Sequence, residues 1–184
     1  MEHETTFFAS PFRVLHVAPK ATLEKRIRAN ARLMEYVTAD LYREDVDVKC
    51  DITALPFPDD HFDVVLCNHV LEHVIQDRKG ISELLRVLSP SGWASLLVPL
   101  SNNEVTIESS GDESDEDKRS LFGQVDHVRL YGQDYLKRLQ DEGFLVQYRD
   151  YGSELGDARR FYGLLNCEQL CIGFKSSKHD PDRR

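Results

Sequence analysis

The 184 residues include 41% hydrophobic and 30% charged side chains, with a formal charge of -9. That length suits one compact domain burying roughly 70% of its unfolded surface, and the composition excludes a chain too polar to fold alone. No apolar run approaches the ~20 residues of a spanning helix, and the acidic balance opposes a broad polyanion-binding surface, so neither membrane nor nucleic acid is an expected partner. Met1 to Ser10 carries acids where a secretory leader carries bases, which predicts a cytoplasmic protein.

No internal repeat is present, and β-branched runs alternate with stretches of helical spacing, the pattern of an α/β fold. Phe12 to Ala18 reads as a first strand closed by Pro19. Leu23, Ile27 and Met34 then recur at near-helical intervals, with Thr22 as a candidate cap. Tyr36 to Leu41 and Val46 to Ile52 are short, rich in β-formers, and each carries an aspartate near its end. Leu55 to His61 has the Pro and Asp content of a loop. Phe62 to Cys67 is the most continuous hydrophobic segment, the kind buried on both faces of a parallel sheet. Asp77 to Leu88 places Ile81, Leu84, Leu85 and Leu88 on one helical face, Ser89-Pro90-Ser91-Gly92 stops it, and Trp93 to Leu100 forms a fifth strand.

Residues 101 to 124 interrupt this alternation. Ser109 to Arg119 reads SSGDESDEDKR, with almost nothing to bury, and predicts an inserted solvated loop in a position that could shape a site. Tyr135, Leu136 and Leu139 mark a helix ended by Gly143. Phe144 to Tyr151 and Glu168 to Phe174 read as the last strands, and residues 175–184 as a frayed tail on a single domain spanning 1–184. Cys50, Cys67, Cys167 and Cys171 form no CxxC pair, histidines show no zinc spacing, and three of the four thiols sit in apolar stretches, so they are expected to be packing residues and no metal is expected.

Ligands of open α/β sheets bind beyond the carboxyl ends of the strands, near the point where strand order reverses. The residues there are His16 to Lys20, then Asp40, then Asp51, then Asn68 to His73. A carboxylate about 20 residues beyond the first turn can accept two hydrogen bonds from a ribose diol, which suits Asp40. Asp51 on the next strand can accept from an adenine amine while Ile52 packs against the ring.

This ordered set resembles the class I S-adenosylmethionine-dependent methyltransferases, in particular the type-eleven methyltransferase-domain group. DITALPFPDDHFDVVLCNHVLEHV, Asp51 to Val74, is the most specific stretch; RVLSPSGW, Arg86 to Trp93, and HVRLYGQDYLKRLQDEGF, His127 to Phe144, follow in family order. The resemblance implies a Rossmann-like, mostly parallel seven-stranded sheet flanked by helices, with the last strand antiparallel. It also implies S-adenosylmethionine as cofactor, held by His16, Ala18, Pro19, Lys20, Asp40, Leu41, Asp51, Ile52, Asn68, His69 and Val70. The implied activity is methyl transfer to an O, N or S atom of a small-molecule acceptor. A dehydrogenase would need Gly-x-Gly-x-x-Gly at the first turn, which is missing. A non-catalytic binding module is the alternative.

Two departures from the family stand out. Its first loop is glycine-rich, whereas this one reads His16-Val17-Ala18-Pro19-Lys20-Ala21-Thr22; the expected compensation is that the cofactor carboxylate meets both the Thr22 helix start and the Lys20 ammonium. Only about ten residues precede the first strand where the family carries a helical cover. This predicts an open site, which favours a large substrate, a cover supplied by the 101–124 insertion, or a second subunit in a homodimer. For proton transfer His127 is the first choice as base, at the start of the late helix. His73 and His69 follow the fourth strand near the expected sulfonium, and Glu72 reads as a helix-start acid.

Overall fold

A computed structural model of the chain describes residues 11–150, 154, 156–157 and 169–176. Met1 to Ser10, Tyr151, Cys167, Glu168 and most of the tail lie outside the described residues. Seven strands form one sheet: β1 Phe12–Val17, β2 Leu33–Asp40, β3 Val48–Lys49, β4 Phe62–Cys67, β5 Leu88–Ser95, β8 Leu145–Asp150 and β9 Gln169–Phe174. Their order is β3-β2-β1-β4-β5-β9-β8. The pairings from β3 through β5 are all parallel, and β9 runs antiparallel to both β5 and β8, as expected.

β1 and β4 lie side by side at the centre, and alternation along them builds two cores. Leu15, Val17, Val65 and Cys67 pack on one face with α2 (Asp77–Val87) and α4 (Tyr135–Asp141). Phe12, Val14, Val64, Leu66 and Trp93 pack on the other, against Ile27 of α1 (Ala21–Arg28). Burial on both faces is what makes the FDVVLC run so uniformly apolar. Gly173 on β9 is required by a close approach, since a Cβ there would stand 2.6 Å from Phe144. Arg86 joins two of the segments that carried the family resemblance, donating to Leu55 O at 2.9 Å and Phe57 O at 2.8 Å and so fixing the Leu-Pro-Phe loop to α2.

Several boundaries differ from the sequence reading. α1 ends at Arg28, so Met34 belongs to β2 and is exposed rather than helical. Lys20, not Thr22, is the cap, and it gives no side-chain bond. β3 is only two residues long because the Asp47 carboxylate takes Thr38 N–H at 2.8 Å, a donor that a longer ladder would need. The β5 ladder opens earlier, at Leu88, and Ser89 to Gly92 form an irregularity within it rather than a stop before it.

The insertion is more ordered than its composition suggests. β6 (Ile107–Glu108) pairs antiparallel with β7 (Arg129–Leu130), and α3 spans Asp115–Phe122 within the acidic block. Ser114 and Asp117 form a reciprocal capping box, three acids occupy the first turn, and Gly123 at φ 86 closes the helix. Acids near a helix start oppose the macrodipole favourably, so a run that reads as a solvated loop is also a helix start. Buried Phe122 anchors its far end.

Candidate functional site

A cleft of about 330 Å³ opens beyond the carboxyl ends of the strands, near β1 and β4, where the strand order reverses. Its lining includes Ala18, Asp40, Leu41, Asp51, Ile52, His69 and Val70, seven of the cofactor residues expected from sequence, together with His73. Val17, within the His16 to Lys20 loop, also lines it, as do Tyr42, Cys50, Val74 and Asp126, which were missed. All but Asp126 sit one to a few positions from residues already singled out, whereas Asp126 arrives from a distant segment that only the fold brings in.

The glycine-free loop makes its turn with an alanine. Ala18 has φ 47, a left-handed conformation that costs an L-residue roughly 1–2 kcal/mol, and its N–H donates to Ala39 O at 2.8 Å. Having only a methyl group, alanine keeps the backbone open toward the cleft where the family has glycine. The loop is tied from outside by Arg43, whose Nη1 donates to Pro19 O at 2.6 Å while the guanidinium pairs with Asp45. Pro19 is buried beneath this contact and Lys20 is exposed at the α1 start; neither is among the cleft-lining residues.

Asp40 ends β2, and its Oδ1 accepts from Tyr42 N–H at 2.8 Å and Arg43 N–H at 3.0 Å. This turn aims the carboxylate at the cleft, and a carboxylate has lone pairs for further donors. Asp51 Oδ1 accepts from Thr53 N–H at 2.8 Å, starting the 3₁₀ turn Ile52–Ala54 that seats Ile52 against α2. Asn68 faces elsewhere: its Oδ1 accepts from Ser95 Oγ at 2.8 Å and Leu97 N–H at 3.2 Å, latching β4 to β5. His69, beside it, has φ 57 and its N–H donates to Leu97 O.

The sequence reading grouped His16 with the cofactor loop, and the structure puts its side chain on the other face. Strand alternation turns it away from Val17 and the cleft toward Tyr36, whose hydroxyl lies 2.7 Å from Nδ1. Burial lowers its pKa to about 4; Glu24 opposes this shift and Arg43 adds to it. Since the folded value lies below the unfolded 6.5, His16 stays neutral in the folded protein, and stability held above pH 6.5 is lost as pH falls toward 4. Wild type is expected to lose up to about 3 kcal/mol across that window relative to His16→Gln, measured as the difference between their urea-unfolding free energies at each pH.

His73 reaches the cleft from the 3₁₀ turn Leu71–His73, and His127 stands behind it, the rings edge-to-face at 4.7 Å. His127 is 3% exposed and is not a lining residue. Its Nδ1 donates to Phe122 O at 2.8 Å at the end of α3. The two segments are clamped together by Val128 N–H, which donates to Glu72 O at 2.9 Å, and by the Arg129 guanidinium, which donates to the carbonyls of Leu71, Val74 and Ile75. Among the described cysteines Cys67 and Cys171 are buried, as expected of packing residues, and burial raises both thiols, Cys171 to about 12.

Residues 9–96 match the model of a methyltransferase domain. Demethylmenaquinone methyltransferase of Clavibacter sepedonicus is 53% identical over 45 residues, 24% of this chain and 18% of that protein. The chain spans less than a third of the length of the curated relatives it matches. In three dimensions it is similar to an S-adenosylmethionine-dependent methyltransferase from Mesorhizobium loti, with TM-score 0.63 at 13% identity, covering 91% of this chain and 93% of that one. It is also similar to phosphoethanolamine N-methyltransferase 2 of Haemonchus contortus, solved with S-adenosyl-L-methionine, with TM-score 0.60 at 13% identity over 94% of this chain and 51% of that one. The chain therefore has the fold of the class I methyltransferases and carries a methyltransferase-domain match over its first half.

Proposed function

We propose that this chain is an S-adenosylmethionine-dependent methyltransferase acting on a small-molecule acceptor as one domain in the cytoplasm, with no role for nucleic acid or membrane. The observation that carries this reading is the cleft at the strand-order reversal, whose lining holds Asp40 and Asp51 from the ends of neighbouring strands together with Ile52 and Ala18. In it Asp40 accepts from the ribose hydroxyls, Asp51 from the adenine amine, and Ile52, Leu41 and Val70 pack on the adenosine. The residues fit the cofactor: an apolar slot edged by two carboxylates suits a base and a diol.

S-adenosylmethionine supplies the sulfonium methyl, which is intrinsically electrophilic. The protein's part is then to align the acceptor and take up its proton. His73 borders the cleft for this, with His127 packed behind it to fix its ring. The acceptor is one with an ionisable O, N or S. The insertion, or a second copy of the chain, closes the cleft over it. Titration calorimetry of the full chain with S-adenosylhomocysteine is expected to give one site per chain, and incubation of extracts with labelled S-adenosylmethionine is expected to label a small molecule. No heat and no thermal shift at millimolar ligand would refute the reading.

A further inference from the structure

We infer that Glu72, His73 and His127 form a binding site for one divalent transition-metal ion of the zinc class, set in the wall of the cleft. Each offers a ligand atom, and the three atoms lie within 4.8 Å of one another. Glu72 and His127 are buried, and Glu72 Oε2 and His127 Nε2 are both enclosed without any hydrogen-bond partner. A buried polar atom left unpaired costs roughly 1–3 kcal/mol, so two such atoms on residues whose ligand groups stand this close indicate something that satisfies both.

The hydrogen bonds around the trio say what kind of ligand that is. His127 Nδ1–H is committed to Phe122 O at 2.8 Å, which leaves Nε2 as a bare lone pair. His73 Nδ1 lies 3.2 Å from Asp126 O and 3.3 Å from Asp126 Oδ2, which likewise commits that nitrogen as the donor and frees Nε2. Glu72 Oε1 stands 3.5 Å from His69 Nδ1. With both imidazoles neutral each presents an acceptor, as does the carboxylate; a proton shared between two of these groups pairs those two alone, whereas one cation satisfies all three. An outer carbonyl or carboxylate fixing each ring is also the arrangement that holds metal-ligating histidines.

The ligand set is two imidazoles and one carboxylate, which suits zinc and its neighbours. Around a tetrahedral zinc, ligand atoms stand about 3.4 Å apart, so closing from the present spacing takes shifts on the order of 1 Å in side chains. Three protein ligands leave a fourth position, and one of the three, His73, lines the cleft. An ion there would hold the acceptor's hydroxyl oxygen and favour its deprotonated form, replacing the proton uptake that His73 provides in the metal-free site, with both imidazoles then serving as ligands. This last step rests on the methyl-transfer reading; the binding of the ion does not. The trio escapes a sequence search for metal spacing because His127 lies more than fifty residues from its partners.

The test uses the full chain, freed of metal by chelator, with cobalt(II) and zinc as probes. One zinc per chain by calorimetry and visible cobalt bands of a four-coordinate nitrogen-oxygen site are expected. Glu72→Gln and His73→Asn should each weaken zinc binding by about 100-fold or more; His73→Asn alters a partly exposed side chain and guards against misfolding in the buried variant. Circular dichroism and S-adenosylhomocysteine binding on the same samples report folding and the cofactor site separately. Absence of stoichiometric zinc, affinity unchanged in both variants, or cobalt bands of thiolate ligation would each overturn the assignment. Retained zinc binding with no S-adenosylhomocysteine binding would overturn the methyltransferase reading and leave the metal site standing.

Discussion

Arg129→Ala is expected to lower folding stability by about 3–5 kcal/mol and Tm by about 10 °C, read by urea unfolding and calorimetry. Arg129 is 3% exposed. It donates to Glu108 Oε2 at 2.9 Å, to Leu71 O at 2.8 Å and to Ile75 O at 3.0 Å, and lies 3.7 Å from Asp77. Truncation strands the carbonyls of the 71–75 turn without their donors and weakens the compensation of Asp77, whose carboxylate then keeps Arg138, Tyr131 and the Arg78 N–H, each at 2.8 Å. Breaking a buried pair by removing one partner costs far more than the pair contributes relative to an apolar replacement. Arg129→Lys should recover only part of the loss, because one ammonium cannot reach carbonyls and carboxylate in several directions. A loss under 1 kcal/mol in Arg129→Ala would show that the turn holds itself.

Asp40→Ala is expected to raise the Kd for S-adenosylhomocysteine by about 100-fold or more, since two hydrogen bonds to a charged acceptor contribute roughly 1.5–3 kcal/mol each. The change also removes the turn acceptor for Tyr42 and Arg43 N–H, but the first bond is exposed and the second only partly buried, so the stability cost should stay near about 1 kcal/mol. Asp40→Asn preserves an acceptor for that turn and removes the charge; an intermediate loss, about tenfold, separates the two roles. Calorimetry at one salt concentration decides it. Affinity unchanged in Asp40→Ala would refute the ribose assignment whatever else binds in the cleft.

Local pattern was sufficient for β4 and nearly so for β1, because strands buried on both faces must be continuously apolar. It was sufficient to place Asp40 and Asp51 beside the cleft, because a strand end is a place in sequence as well as in space. It failed at α3, where capping chemistry and disorder use the same acidic and hydroxyl residues, and at Met34, where an apolar residue at helical spacing from Ile27 lies in a strand. His16 was grouped with the cofactor residues by treating the loop as a unit and ignoring the alternation that begins at Phe12, which turns its side chain toward Tyr36.

The chain order of charges and hydrophobes thus determined the sheet, its central strands and the carboxylates at its rim, all of which depend on neighbours within a few residues. Only the tertiary structure decided that Ala18 would take a glycine's conformation, that Arg43 would brace the first loop, and that His127 would stand against His73 and Glu72. Those contacts join segments twenty to sixty residues apart, and their partners are backbone carbonyls or buried lone pairs, which leave no periodicity in a sequence.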